Sequence, residues 1–439
     1  FNKLMYALKF GDAEIVLSGR VNENSKILYE RHPRERVEKV APWLTIDNDP
    51  YPAIVDGRVV WILDGYTMTD RYPNSQRESL LEMTRDTLNP TTSFVTLPTD
   101  QINYVRNSVK ATVDAYDGTV TLYEWDTDPI LEAWMDVFPD VVKPKSEISA
   151  ELAAHLRYPE DMFKVQRFVL AQYHEENPQL FYQGTNRWEV PPDPADTTES
   201  KKQPPYRLSV QLPPEPGSTS TASLPPTFSL TSVYVPFGRK NLASFIAVNS
   251  DASSEDYGKF RILRLPAGSP LEGPSLIANR FAADQDIQDR LLPLQSNQQI
   301  DNGNLLTLPV GGGLLYVQPV YARQERTEGS YPVLRYVLAT FGDQAGIGTT
   351  IEAALANIRG QEAPEEPEPG PGPGPGPDPG GEPADVLELL QEIETKQNQA
   401  EAALKDGDLV RYAQLQEQIT TLIQQAVRAA QEELGGDAG

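Results

Sequence analysis

The stretch EAPEEPEPGPGPGPGPDPGGEP, residues 362–383, prevents this chain from folding as one continuous body. Proline withholds backbone donors, glycine costs entropy to order, and the stretch carries almost nothing apolar to bury. It reads as a disordered tether, extended where proline dominates and self-repelling through its acidic residues. Three regions follow: a mixed region at 1–358, a Pro/Gly/acidic linker at 359–383, and a helical segment at 384–434. At 439 residues the chain also exceeds the length at which a single core stops growing. A division of the first region into two subdomains is expected near 190–226. In the tail, Val386, Leu389, Leu390, Ile393, Ala400 and Leu404 share one helical face, and Leu409, Tyr412, Leu415, Ile419, Leu422, Ile423 and Val427 share another. Gly407 suits the end of the first helix and Asp408 the start of the second. The expected αα-hairpin leaves an open apolar seam, fit for the body, a second copy or a protein partner.

Within 1–358, strand and helix signals mix irregularly. Ala53–Val55 and Arg58–Leu63 flank Asp56-Gly57, which supplies the positive φ of a two-residue hairpin turn. Ser108–Tyr116, Asp117-Gly118 and Thr119–Tyr123 repeat that logic. Further strands are expected at 206–212, 228–235, 242–248, 259–265, 314–321 and 333–341. Helices are expected at 128–138, 146–157 (opened by Ser146), 159–176 and 275–292; in the third, Pro159, Glu160 and Asp161 suit a positive helix end. No strict βαβ alternation appears. The expectation is an α+β fold, a mixed and largely antiparallel sheet domain with packed helices. The proline-rich blocks 191–205 and 213–226 read as long surface loops.

Charge and residue inventory exclude several classes. The 38 basic residues face 63 acidic ones, a net charge of −25, which opposes binding to nucleic acid or to an anionic membrane surface. No cysteine is present, so disulfides, thiol nucleophiles and Cys-containing zinc sites are ruled out. His32, His155 and His174 come without a G-x-S-x-G elbow or an H-E-x-x-H motif, and neither a P-loop nor a dinucleotide fingerprint appears. No cofactor and no metal site is expected. Leu305–Ala322 runs 18 residues without a charge, yet Pro309, Pro319 and Gly311–Gly313 favour a strand, a glycine turn and a second strand over a membrane helix. Phe1 is followed by no signal-peptide pattern, so the chain reads as a fragment.

Carboxylates are the abundant candidates for chemistry. Asp47 with Asp49, Asp64 with Asp70, Asp114 with Asp117, and Asp126 with Asp128 offer pairs for glycosidase-like acid/base work or for calcium. Asp64, Asp70, Asp114 and Asp117 are the first suspects. The competing reading is local, since aspartate before glycine or proline makes turns and helix caps. In WILDGYTMTDRYPNSQ, residues 61–76, Trp61, Tyr66, Arg71 and Tyr72 are candidate ligand-binding side chains; the same cluster could instead fix a chain crossing.

This segment, with NYVRNSVKATVDAYDGTVTLYEWDTDPILEAW (103–134), HLRYPEDMFKVQRFVLAQYH (155–174) and LLTLPVGGGLLYVQPVYA (305–322), resembles the UPF0182 family of bacterial membrane proteins. The resemblance implies actinobacterial relatives with a multi-pass membrane region ahead of a large soluble portion outside the cytoplasm. It transfers no catalytic residue. The expected function is a non-enzymatic, extracytoplasmic interaction or ligand-binding domain of a membrane protein. It would have that membrane region and a protein partner or second copy at 384–434 as its contacts. The alternative is a hydrolase acting on envelope carbohydrate through paired aspartates.

Overall fold

The computed structural model describes residues 2–17, 22, 25, 29–86, 100–184, 186–196, 198, 200–214, 225–266, 270–295, 298–324 and 331–361, and positions 395, 396, 399, 411, 415, 418 and 422. Two compact units result, residues 1–364 and 365–439. The first has an α+β fold of largely antiparallel sheets.

Helices α1 (Asn2–Phe10), α2 (Glu14–Leu17) and α3 (Pro33–Val40) precede strands β1 (Thr45–Ile46), β2 (Tyr51–Val55) and β3 (Arg58–Thr69). The short strands β4 (Glu78–Ser79) and β5 (Gln101–Ile102) pair with each other, and α4 (Leu80–Thr84) follows β4. Then come β6 (Tyr104–Asp114), β7 (Val120–Glu124), α5 (Pro129–Val137), β8 (Val142–Lys143), α6 (Ala150–His155) and α7 (Glu160–Tyr173). The first sheet runs β1-β3-β6-β7-β8, with β2 also on β3, and only β7–β8 is parallel. Because strand side chains alternate between faces, Leu63, Ala111 and Leu122 pack on Val37 of α3, on Ala41 just beyond its end and on Leu131 of α5. Ile62, one residue away, packs with Leu152 and Leu156 around α6.

The first hairpin turns as its sequence demands: φ is 49° at Asp56 and 74° at Gly57, and Val55 faces Arg58. The second departs from expectation. Its first strand ends at Asp114 rather than Tyr116, because the Asp114 carboxylate accepts the N–H groups of Tyr116 (2.8 Å) and Asp117 (3.1 Å) and folds the chain early. Gly118 (φ 76°) closes this turn against Arg36, where a Cβ would stand 2.3 Å from Nη1. Asp128 caps α5 by accepting from Leu131 N at 2.9 Å. The cap of α6 is Ser149, not Ser146, since residues 145–147 form a separate 3-10 turn.

Next come α8 (Pro178–Gln183) and a second antiparallel sheet of β10 (Tyr206–Val210), β11 (Thr227–Pro236), β12 (Ser244–Asn249) and β13 (Phe260–Arg264), with β9 (Trp188–Glu189) on the end of β11. Helix α7 lies between the two sheets. Its fully buried Phe163 shares a core with Tyr66 of β3 and with Leu230, Tyr234 and Ile246 of the second sheet. Each such side chain contributes about 1.5–3 kcal/mol by leaving water.

The helix expected at 275–292 is two, α9 (Pro274–Ala283) and α10 (Gln285–Gln295). They break at Asp284, whose carboxylate accepts from Ile287 N at 3.1 Å. A third sheet follows: β14 (Gln298–Asn302), β15 (Leu306–Val310), β16 (Gly313–Gln324), β17 (Val333–Phe341) and β18 (Gln344–Gly348), covered by α11 (Ile351–Ile358). The uncharged stretch 305–322 is the β15–β16 hairpin, turning through Gly311 (φ 58°) and Gly312 (φ 80°). Among the described residues no helix is long and apolar enough to cross a membrane.

In the second unit the described positions are helical, Leu415 is buried, and Lys396 Nζ donates to Gln418 Oε1 at 2.9 Å. The tether 362–383, and the rest of the expected hairpin, lie outside the described residues.

Candidate functional site

A helix start leaves backbone N–H groups without partners, and Pro159, at the cap position of α7, has no side-chain acceptor to offer. The loop after β1 supplies the cap from far along the chain. Asp161 N donates to Asp47 Oδ2 at 3.0 Å and Met162 N to Tyr66 Oη at 3.2 Å, while the Tyr66 hydroxyl donates to that same Asp47 oxygen. In return the Asp161 carboxylate accepts from Asn48 N (3.1 Å) and Nδ2 (2.9 Å). Asp47 is 3% exposed. Burial, then the nearby charges of Asp161 and Asp64, push its carboxyl up to about 7, although the bonds from Tyr66 and Asp49 N pull the other way. Burial and the Asp47 carboxylate hold the Tyr66 hydroxyl well above its ordinary range, so it stays a donor.

Beside this cap lies a buried ion pair. Asp64 of β3 and Lys110 of β6 are register partners, and their side chains, 5% and 1% exposed, meet directly. The ammonium also donates to Arg157 O and Tyr257 Oη, both at 3.3 Å, which uses all three of its protons. Trp125 presents its ring 5.2 Å away. A chain of charges links the neighbouring elements. Asp49 Oδ2 accepts from Arg157 (3.3 Å) and from Arg207 of β10 (2.9 Å), and Arg207 also reaches Glu160 at 2.9 Å. Lys164 bridges Glu160 (3.0 Å) and Asp86 (2.7 Å). The buried Arg167 donates to Gln203 O and to Ser232 Oγ of β11. These contacts tie the first sheet, α7 and the second sheet at one polar joint.

The four suspected catalytic aspartates occupy three places. Asp64 is sealed on Lys110. Asp70, at the end of β3, lies 3.8 Å from Arg71 and 3.9 Å from Arg77 in solvent. Asp114 and Asp117 do come together, in the β6–β7 turn, where both pair with Arg58 at 2.6 and 3.2 Å. Arg58 and two backbone N–H groups hold the Asp114 carboxyl down at about 2, and bonds from Thr119 lower that of Asp117. The candidate ligand-binding residues are also dispersed. Trp61 packs on the Leu63 cluster, Tyr66 belongs to the α7 cap, Arg71 is solvent-exposed, and Tyr72 stacks on Tyr104 at 5.6 Å.

Two open cavities flank α7 instead. One, of 230 Å³, is bordered by Ser75, Gln76, Tyr104 and Val165; the other, of 310 Å³, by Lys164, Arg167, Trp188 and Lys202. Both share Met83, Phe168 and Gln172. Among the described residues no group of three or more His, Asp or Glu could hold a metal ion. Sequence reasoning passed over Lys110, Arg157, Lys164, Arg167 and Arg207. A signal existed for the first: SVKATV and WILDGY each carry one charge inside an apolar strand, a pattern that asks for a buried partner.

The family model described as uncharacterised protein family (UPF0182) matches residues 1–294. A UPF0182 protein of Nocardioides sp. is 50% identical over 420 residues, covering 94% of this chain and 41% of that relative. One of Thermobifida fusca is 52% identical over 372 residues (84% and 36%), and one of Streptomyces coelicolor 43% over 448 (100% and 44%). The chain thus spans less than half the length of these relatives. No solved structure matches it. On the breadth of the family match and the identity to these actinobacterial proteins, the chain belongs to the uncharacterised protein family UPF0182.

Proposed function

We propose that this chain is a non-enzymatic interaction or ligand-binding portion of a bacterial membrane protein, placed outside the cytoplasm. The observation that carries the reading is the fate of the aspartates. Asp64 is spent on Lys110 and Asp47 on a helix cap, and both are out of reach of solvent. Asp114 and Asp117 are reachable, yet Arg58 and the turn hold both acids low, the wrong direction for a proton donor at neutral pH. The carbohydrate-hydrolase alternative therefore has less support. Placement beside a membrane region follows the family resemblance, and the apolar residues spaced through the sequence of 384–434 supply the contact surface.

Crosslinking the full-length membrane protein in native envelopes, with and without residues 384–439, tests this. A crosslinked species present in the intact protein should disappear on deletion, and light scattering of the purified pair should show reduced association. Identical crosslinks and identical scattering from both would count against the reading.

A further inference from the structure

The 310 Å³ cavity beside α7 combines an apolar wall with more positive charge than its neighbours neutralise. Met83, Phe168, Ala171, Trp188 and Phe237 form the wall, and Lys164, Arg167, Arg187 and Lys202 border it. Lys164 and Arg167 share Asp86, at 2.7 and 3.6 Å, and Glu160 divides its charge between Lys164 and Arg207. Arg85, behind them, is matched by Glu82 at 2.8 Å. Among the described residues Lys202 and Arg187 make no ion pair. The one carboxylate bordering the cavity, Glu189, has an oxygen engaged by Gly238 N at 3.0 Å. The backbone of Lys202 is anchored beside the cavity: its N–H donates to Asp86 O at 2.6 Å and it bridges to Pro192. Burial first, then Arg167 and Arg85, lower the affinity of its amine for a proton, outweighing the opposite pull of Asp86 and Glu82. A bound anion would reverse that cost. In a chain of net charge −25 this local excess of cations stands out against its surroundings.

From the charge complementarity and the adjoining apolar space, we propose that this cavity binds an anionic amphiphile. Its single acidic headgroup, carboxylate or phosphate, sits at Lys202 and Arg187, and its apolar chain lies along Phe168 and Met83 toward the 230 Å³ cavity. That second space, bordered by the same Met83, Phe168 and Gln172, adds the apolar side chains of Ile102, Val105, Val165 and Val169. At 310 Å³ the cavity beside Lys202 lies at the lower end of the range of small-molecule sites, roughly 300–1,000 Å³. The proposal deepens the ligand-binding half of the function proposed above.

Isothermal titration of the 439-residue chain with octyl phosphate and with octanoate, below their micelle concentrations, tests it; octanol and inorganic phosphate serve as controls. Either anionic amphiphile should bind more tightly than both controls, and the tighter of the two identifies the headgroup. Lys202→Met with Arg187→Gln should weaken anionic binding by about tenfold or more while leaving octanol unchanged. Met83→Trp, which fills the track, should weaken both, with circular dichroism reporting an intact fold. Binding of octyl phosphate and octanoate no tighter than octanol, or unaltered by the double substitution, would overturn the site. Tail-dependent crosslinking that persists after such a failure would leave the interaction reading standing; amphiphile binding without such crosslinks would leave the site standing alone.

Discussion

Two ion pairs join the same two strands, and they differ in almost everything except chemistry. At the middle of β3 and β6, Asp64 meets Lys110 with both side chains out of water; at the hairpin end, Arg58 reaches Asp114 and Asp117 in solvent. The inner pair is held on every side, by Arg157 O, Tyr257 Oη and the Trp125 ring. The outer pair is one of several ways to finish a turn. Residue type and strand pairing are therefore poor guides to what an acidic side chain does, and burial is the better one.

The largest effect should come from breaking the inner pair on one side. Lys110→Met leaves Asp64 as an unpaired charge in the core and should cost about 3–5 kcal/mol in urea denaturation.

A middle-sized effect, with a distinct pH signature, belongs to Asp47. Its folded pKa is raised from an ordinary 3.8 to about 7. Its contribution to stability is therefore full below 3.8 and lost as pH rises through about 7. Asp114 behaves in the opposite sense, since its lowered acid contributes above 3.8 and that contribution goes as pH falls through about 2. Asp47→Asn gives up an acceptor at Asp49 N, about 1–2 kcal/mol at pH 5, and should flatten the decline in denaturation midpoint between pH 5 and pH 7. A slope equal to wild type would assign that decline elsewhere.

The smallest effect should follow Arg58→Ala: a loss of no more than about 1 kcal/mol in urea denaturation, smaller still near 1 M salt. A large loss there would erase the contrast between the two pairs.

Much of the fold was legible because it is local. Asp56-Gly57 and the glycine turn at 311–312 act through their own backbone, the Asp128 side chain caps the helix that Pro129 opens, and each formed where its residues require. The break at Asp284 and the early end of β6 at Asp114 were hidden because an aspartate side chain took over a backbone N–H nearby. The polar joint was harder still. Asp47 and Asp161 are 114 residues apart and Asp49 and Arg207 are 158 apart, so no window of sequence contains both partners. Lys202, in a proline-rich block expected to be a plain surface loop, borders the cavity with its backbone bridged to Pro192 and bonded to Asp86 O.

The central claim is that the buried charges serve one another and the joint rather than a bound molecule. Asp64→Leu combined with Lys110→Met tests it most directly, since Tyr257 Oη can still donate to Arg157 O, at 3.2 Å, once both charges are gone. The double variant should regain the urea midpoint lost by Lys110→Met alone and, in the full-length protein, keep the wild-type crosslinks. A double variant as unstable as the single one, or one that folds normally and has lost those crosslinks, would contradict it.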